Sequence, residues 1–347
     1  MGGSDDRAVC RRHARRRGDD APLPPGGPGD GAAVHRAPSG GGPQRRRAPR
    51  ESAIAGAGAV PDDHALSARV AAGLRTHASC GSADGAAAPS EVRRGGAARI
   101  ARLERDLALA RELQFRLLPQ SRPQLTNLDV AAKFVPARAI GGDLYDFVSY
   151  SLSRTAIVIG DVSGKGAPAA IYAALVSGIL RSHAPMEPGP AEMQRAVNFS
   201  LGERRIEGQF VSMIYAVWDD ENRSLQVANS GLPRPLYCHD DKIEVIEATG
   251  LPLGLFDDAE YDEFTFKANP GDVFVFFSDG ILDARNKAGD MFGRSRVEEV
   301  VAGCPELSAD CVVNSLFKAV AEHASGVETF DDQTVVAIKV KGEAASK

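Results

Sequence analysis

The stretch that decides the fold is AIVIGDVSGKGAPAA, residues 156–170. Its opening AIVIG is a short, apolar, β-branched run, which is typical of a buried strand. Asp161 follows at once, and Gly164 and Gly166 then indicate a turn before a helix predicted over 167–183. A strand that delivers a carboxylate to such a turn often builds a phosphate or metal site, but ordinary strands also end this way. The rest of the chain therefore has to decide between the two.

Short strand-like runs separated by turns dominate the chain after residue 128. Besides 156–160, strands are predicted at 129–135, 144–149, 210–218, 224–228, 235–238, 243–247, 262–267, 272–277 and 334–340. Helices are predicted at 167–183, 190–204 and 308–324, the last with Ser308 as its N-cap. Hairpin-linked strands with clustered helices indicate an α+β architecture and not a parallel, doubly wound sheet.

The first hundred residues differ in composition from the remainder. They contain 16 Arg and no Lys, 17 of the 36 glycines, and no Phe, Tyr or Trp. Such a segment buries too little apolar surface to offset the entropy of ordering it. Residues 1–95 are therefore predicted to be a disordered tail. Its Arg-rich patches lack interleaved aromatic residues, so nucleic acid is not expected as a partner.

A linker helix is predicted over 96–119, where Pro119 stops it. Ile100, Leu103 and Leu107 begin a 3-4 apolar spacing that continues through Ala110, Gln114 and Leu117. This spacing fits either the seam of a coiled-coil homodimer through helix 98–118 or a helix packed on the following domain. About two and a half heptads are short for a stable dimer, and the sequence leaves both readings open.

Several classes of protein are disfavoured by what the sequence lacks. No apolar run reaches about 18 residues, so no membrane span is predicted. The five cysteines show neither CxxC spacing nor a paired framework. Because the N-terminus lacks the apolar core of a signal peptide, the expected location is cytoplasmic.

Four acidic motifs stand at the ends of predicted strands. They are GGDLYD with Asp143 and Asp146, IGDVSG with Asp161, FFSDGI with Asp279, and FDDQT with Asp331 and Asp332. Each carboxylate is thus tied to a rigid strand. Carboxylate oxygens without a His or Cys cluster suit Mg²⁺ or Mn²⁺, and two such ions activate water and hold a phosphoryl group. The motifs together predict a metal site.

The motifs also carry a family resemblance. RELQFRLLPQ, PARAIGGDLYDF, IVIGDVSGKGAPAA, FVSMIYAVWD, ANSGLPRPLY, LPLGL, PGDVFVFFSDGILDARN, FGRSR and DDQTVVAIKV follow the order of the SpoIIE-type phosphatases. These enzymes are a bacterial branch of the metal-dependent PPM, or protein phosphatase 2C-like, family. The resemblance implies an αββα sandwich of two antiparallel sheets flanked by helices, here a phosphatase domain over 120–342.

The resemblance further implies a phosphoserine/phosphothreonine phosphatase with two Mn²⁺ or Mg²⁺ ions. By motif, Asp161 is the catalytic residue that would bridge both ions and the nucleophilic water. The further implied metal ligands are Asp143, the Val162 carbonyl, Asp279 and Asp331. Asp332 stays open as the alternative to Asp331, and Asp146 is assigned a supporting or turn-capping role. Gly164 is expected to let the turn pass close to the ions, and Lys165 either attracts phosphate or is simply solvated.

Two positions depart from relatives. Ser163 stands where animal-type members have a His proposed to protonate the leaving group, and Leu232 replaces the His of the usual AGH. The implied substrate is a phosphorylated STAS-domain anti-sigma-factor antagonist in a sigma-factor partner-switching pathway. The alternative is a catalytically silent PPM-fold binding module. A nucleotide cyclase reading of GGDLYD leaves DVSGKG and DDQT unexplained.

Overall fold

The computed structural model describes residues 90–342, apart from residues 124, 241, 305 and 306. Nearly all of the predicted tail, 1–95, lies outside the described residues.

Helix α1 spans Ser90–Leu117 and begins six residues before the predicted start at 96. The prediction was set by composition, because Gly95 and Gly96 resemble the glycine-rich tail. The residues around these glycines are compatible with a helix, and Pro89 lies just before the observed first turn, where proline is tolerated. The helix ends at Leu117, in agreement with the predicted stop at Pro119.

Ten strands are present in the described part of the chain, and all ten match predicted runs to within a few residues. They are β1 (Leu128–Val135), β2 (Leu144–Ser149), β3 (Arg154–Val162), β4 (Val211–Asp219), β5 (Ser224–Ser230), β6 (Leu236–His239), β7 (Lys242–Val245), β8 (Phe264–Lys267), β9 (Val273–Phe277) and β10 (Gln333–Val340). They form two five-stranded sheets, in the orders β1-β10-β9-β6-β7 and β2-β3-β4-β5-β8. Every pairing is antiparallel.

The two sheets stack face to face, and helices cover their outer faces. Strand β3 shows why its apolar run is unbroken. Ile157 and Ile159 point into the core between the sheets, where they meet residues such as Phe274 and Ile338. The alternate residue Val158 lies in a second core beneath the helices. Successive side chains of a strand point to opposite faces of its sheet. A strand in one of the two inner layers is therefore apolar at both its odd and its even positions. The predicted αββα sandwich is confirmed.

The helices fall into two groups, one on each outer face. Helices α2 (Ala167–His183) and α3 (Pro190–Gly202), joined through a 3₁₀ turn at Ala184–Met186, cover the β2-to-β8 sheet. Helices α4 (Asp279–Leu282), α5 (Gly293–Ala302) and α6 (Ala309–Ala324) lie on the other sheet. None of the helices described in the structure is both long and apolar enough to cross a membrane.

Helix α6 was predicted from the sequence, and helix α5 was not. The N-cap of α6 is as predicted, because Ser308 Oγ accepts a hydrogen bond from Cys311 N at 3.2 Å. Helix α5 begins at a glycine, and its two buried residues, Val297 and Val301, are β-branched and form a single i, i+4 pair, which is too short a pattern to indicate a helix. Packing of these two valines against the sheet overrides the weak local signal.

Candidate metal centre

The predicted acidic motifs meet because both sheets are antiparallel. The start of β2 lies beside the end of β3, since Leu144 pairs with Gly160. The end of β9 likewise lies beside the start of β10, since Phe277 pairs with Val335. Asp143 and Asp161 therefore belong to one edge of the first sheet. Asp279, Asp331 and Asp332 belong to one edge of the second.

Several hydrogen bonds join these two edges across the sandwich, and one of them links two side chains. Thr334 Oγ1, at the start of β10, donates to Asp143 Oδ2 at 2.6 Å. Asp143 is buried, with 2% of its surface exposed, and it lies close enough to Ser278, just after β9, and to Asp161 for both to affect its pKa. The motifs GGD, IGD, FSD and DDQT are thus neighbours in space.

The carboxylates of this group repel one another. Burial, followed by the charges of Asp279 and Asp331, raises the pKa of Asp161 to about 7. Burial and the charge of Asp161 raise the pKa of Asp143 well above its usual range. The pKa of Asp279 is also raised, first by burial and then by Asp331. The cluster carries more negative charge than its surroundings compensate.

The two aspartates of DDQT have different environments. Asp331 is half-buried and forms an ion pair with Lys165, with Asp331 Oδ2 and Lys165 Nζ 2.9 Å apart. Asp332 is buried and accepts hydrogen bonds from the main chain of the ARAIGGD loop: Ala137 N at 2.7 Å and Gly142 N at 2.5 Å. The charge of Asp331 acts on Asp161 and Asp279, whereas Asp332 holds the ARAIGGD loop and its charge also reaches Asp143 and Asp161.

The paired glycines of GGDLYD have a structural cause. A Cβ at Gly141 would lie 2.3 Å from Asp332 Oδ2, and one at Gly142 would lie 2.8 Å from the Val162 carbonyl oxygen. Glycine next to a predicted ligand Asp allows the backbone to approach a bound ligand closely. The structure shows close approach within the protein, which brings the Val162 carbonyl to the turn that carries Asp143.

Asp146 lies apart from the acidic group. Its carboxylate accepts a hydrogen bond from Arg181 Nη2 near the end of α2 at 2.8 Å. It also accepts one from Phe147 N at 2.8 Å. Burial raises its pKa in spite of this ion pair. Asp146 therefore ties strand β2 to helix α2.

The DVSGKG turn is held by Ser163 and by two glycines. Ser163 Oγ donates to Gly208 O at 3.0 Å and accepts from Phe210 N at 2.9 Å, so both roles of the hydroxyl are used. Gly164 and Gly166 have φ of +91° and +74°, a region that side chains other than glycine rarely enter. Ser163 thus fastens the turn to the loop before β4 and has no free proton to offer a leaving group.

Two residues near the site were not singled out from the sequence. Gln114 on α1 forms two hydrogen bonds with the main chain of Gly141. Its Nε2 donates to Gly141 O at 2.6 Å, and its Oε1 accepts from Gly141 N at 3.1 Å. Arg138 is exposed, and its Nη1 lies 3.9 Å from the position of a Cβ at Gly166. Gln114 was noted only for its place in the apolar spacing of the linker helix. Arg138 lies near GGD in sequence, which does not say which side chain points inward.

The residues present fit a hard divalent cation. Every side chain donor is a carboxylate, a main-chain carbonyl lies at the same turn, and mutual repulsion of the acids is what a cation relieves. Among the described residues, no three His, Cys, Asp or Glu side chains already surround one point closely enough to hold an ion. Ion binding would therefore require the carboxylates to close in.

Two stacked antiparallel sheets between helices, with carboxylates at one shared end, define the PP2C-like class of fold. Solved structures agree. The SiaA-PP2C domain of Pseudomonas aeruginosa superposes with a TM-score of 0.64 at 19% identity, over 71% of this chain and 100% of that domain. The phosphatase domain and regulatory fragment of SpoIIE from Bacillus subtilis gives 0.56 at 18% identity, over 63% of this chain and 64% of that one.

The chain belongs to the SpoIIE family, because the family model for stage II sporulation protein E matches residues 151–341. Among curated relatives, the phosphoserine phosphatase RsbU of Bacillus subtilis is 27% identical over 241 residues, 69% of this chain and 71% of RsbU. Protein IcfG of Synechocystis is 27% identical over 262 residues, 67% of this chain but only 41% of IcfG. The resemblance drawn from the motifs is confirmed.

Proposed function

We propose that the protein is a metal-dependent protein serine/threonine phosphatase. The observation that carries the proposal is the convergence of Asp143, Asp161, Asp279 and Asp331 from four strand ends onto one edge of the sandwich. A relative that is named a phosphoserine phosphatase supports the same activity.

The proposed roles follow from the contacts of each carboxylate. Bound Mn²⁺ or Mg²⁺ would supply positive charge and an activated water for hydrolysis of the phosphate ester. Asp161 is the proposed bridging residue, because its pKa is affected both by Asp143 at the start of β2 and by the charges of Asp279 and Asp331 in the other sheet. Asp143 with the Val162 carbonyl would hold one ion, and Asp279 with Asp331 the other.

Removal of the metal is the direct test of this proposal. We expect the full chain to hydrolyse p-nitrophenyl phosphate with Mn²⁺ or Mg²⁺, and EDTA to abolish turnover until metal is restored. Absence of turnover, with Mn²⁺ binding intact by calorimetry, would favour the silent binding module. Absence of both turnover and binding would contradict the metal centre.

Arg138 is the cation that we propose for holding the phosphate. An acidic cluster repels a phosphate dianion, and the exposed guanidinium of Arg138 lies over the DVSGKG turn at the start of α2. Arg138→Ala should raise KM for p-nitrophenyl phosphate about tenfold, with little change in Mn²⁺ affinity. Arg102→Ala, on the exposed face of α1, is the matched control. An unchanged KM for Arg138→Ala would remove Arg138 from the site.

A phosphorylated STAS-domain anti-sigma-factor antagonist is the proposed substrate. The support is similarity to RsbU and to the RsbU and RsbW domains of Rv1364c from Mycobacterium tuberculosis, with a TM-score of 0.56 at 23% identity over 65% of this chain and 63% of that one. Action in a sigma-factor partner-switching pathway also implies a cytoplasmic location. Mass spectrometry of a phosphorylated STAS-domain protein before and after treatment would test the assignment.

Homodimerisation through helix 98–118 remains a proposal, supported by exposed leucines. Leu103 and Leu107 are 54% and 42% exposed, whereas the end of the helix packs through Phe115 on Phe134, with ring centroids 5.9 Å apart. The double variant Leu103→Glu/Leu107→Glu should shift the protein from dimer to monomer in light scattering, because paired charges cannot share a seam. A wild-type monomer at high concentration would contradict the proposal.

A further inference from the structure

Lys165 has three contacts with one short segment of the chain. Its Nζ lies 2.9 Å from Asp331 Oδ2, donates to Phe330 O at 2.5 Å, and lies 3.5 Å from the centre of the Phe330 ring. The sequence left open whether this lysine attracts phosphate or is solvated. Its side chain is only 26% exposed, so it is committed to the protein and not to solvent.

The position of Lys165 is set by the turn that carries it. Gly164 and Gly166 on either side adopt left-handed φ, and Asp161 lies at the start of the same motif. The ammonium therefore reaches from the DVSGKG turn across to the start of β10. Its charge also reaches Asp279, where it partly offsets the rise in pKa caused by burial and by Asp331.

The lysine and a divalent ion need the same oxygens. Asp331 and Asp279 are the pair proposed above for one of the two ions, and the ammonium already neutralises Asp331 at hydrogen-bond distance. A compact ammonium is a point charge that compensates a carboxylate without coordination geometry. A divalent ion that binds Asp331 therefore has to displace this ammonium or share its partner.

We propose that Lys165 is an internal counter-ion that holds Asp331 and Phe330 when no metal is bound, and that the entering cation displaces it. This inference rests on the proposed function, because it concerns the same centre. It predicts that Lys165 stabilises the metal-free protein and weakens metal binding. Release of the ammonium would also free Phe330, which is 71% exposed, from its cation–π contact.

Lys165→Met is the test variant, because it keeps the length of the stem and removes the charge. Without metal, its melting temperature should be about 2–4 °C below that of the wild type, since the acids lose their counter-ion. In calorimetry with Mn²⁺ alone, its dissociation constant should be about three- to fivefold lower. Saturating Mn²⁺ should abolish the difference in melting temperature.

Two control variants separate charge from packing. Lys165→Arg keeps the positive charge and should retain most of the metal-free melting temperature. Lys318→Met removes a lysine that also faces a carboxylate, Glu322 at 3.9 Å, but on the far end of α6, and it should change neither quantity.

Each outcome bears on the proposal. An equal or weaker Mn²⁺ affinity in Lys165→Met would overturn displacement, and an unchanged metal-free melting temperature would overturn the counter-ion role. If the wild type binds Mn²⁺ and the variant does not differ, only this inference fails. If the wild type binds no Mn²⁺, the metal centre fails with it.

Discussion

Replacement of Asp161 by Asn should lower turnover of p-nitrophenyl phosphate about a thousandfold or more. Asp161 is the carboxylate that neighbours both halves of the site, because its pKa is affected both by Asp143 and by the charges of Asp279 and Asp331. An amide of the same shape keeps the strand but loses the charge that would bridge two ions. No other single change removes a donor from both proposed ions at once.

Asp161→Asn should lower turnover, but it should not lower the thermal stability of the metal-free protein. Asp161 is a partly buried acid among like charges, so removal of its charge relieves repulsion in the metal-free protein. Asp161→Asn should therefore melt no lower than the wild type without metal, while its Mn²⁺ affinity in calorimetry falls. Asp258→Asn, at an exposed loop position, controls for the change in net charge. Normal turnover by Asp161→Asn would show that hydrolysis does not use this centre.

The strands were predictable because the local order of apolar and polar residues shows which faces of each strand are buried. Strand β3 is apolar at both its odd and its even positions, and β10 has the same pattern in TVVAIKV. Such a pattern is expected only of a strand that is covered on both faces. The stacking of the two sheets came from family resemblance and not from pattern. Helix α5 could not be predicted, because its two buried valines gain their stability from the sheet beneath them.

The sequence allowed us to predict that the acidic motifs are neighbours, but not the direction in which each side chain points. The sequence predicts that GGD, IGD, FSD and DDQT lie at strand ends, and antiparallel pairing then brings them together. It does not say which of Asp331 and Asp332 faces the centre, because a shift of one residue reverses the face. The pair of hydrogen bonds between Gln114 and Gly141 depends on how α1 docks, which no local pattern contains.

The adjacent aspartates should therefore give opposite phenotypes when each is replaced by Asn. One carboxylate oxygen of Asp332 accepts a hydrogen bond from Ala137 N, and the other accepts one from Gly142 N. An amide has only one acceptor oxygen, so its NH₂ group would face one of these buried N–H donors. Asp332→Asn should lower the free energy of unfolding by about 2–3 kcal/mol. Asp331→Asn exchanges a partly exposed ion pair with Lys165 for relief of acid repulsion, and its stability should change by less than about 1 kcal/mol.

Urea unfolding and Mn²⁺ calorimetry on both variants would separate the two roles. Asp331→Asn should weaken Mn²⁺ binding at least about tenfold while it unfolds near the wild-type midpoint, because it loses an ion donor and no main-chain anchor. Asp332→Asn should unfold at lower urea, and any loss of Mn²⁺ affinity should follow from a displaced ARAIGGD loop and so from Asp143. The reverse pattern, a stable Asp332→Asn without metal affinity and an unstable Asp331→Asn, would exchange the assignments. The chemistry would then belong to the second aspartate of DDQT, and the loop anchor to the first.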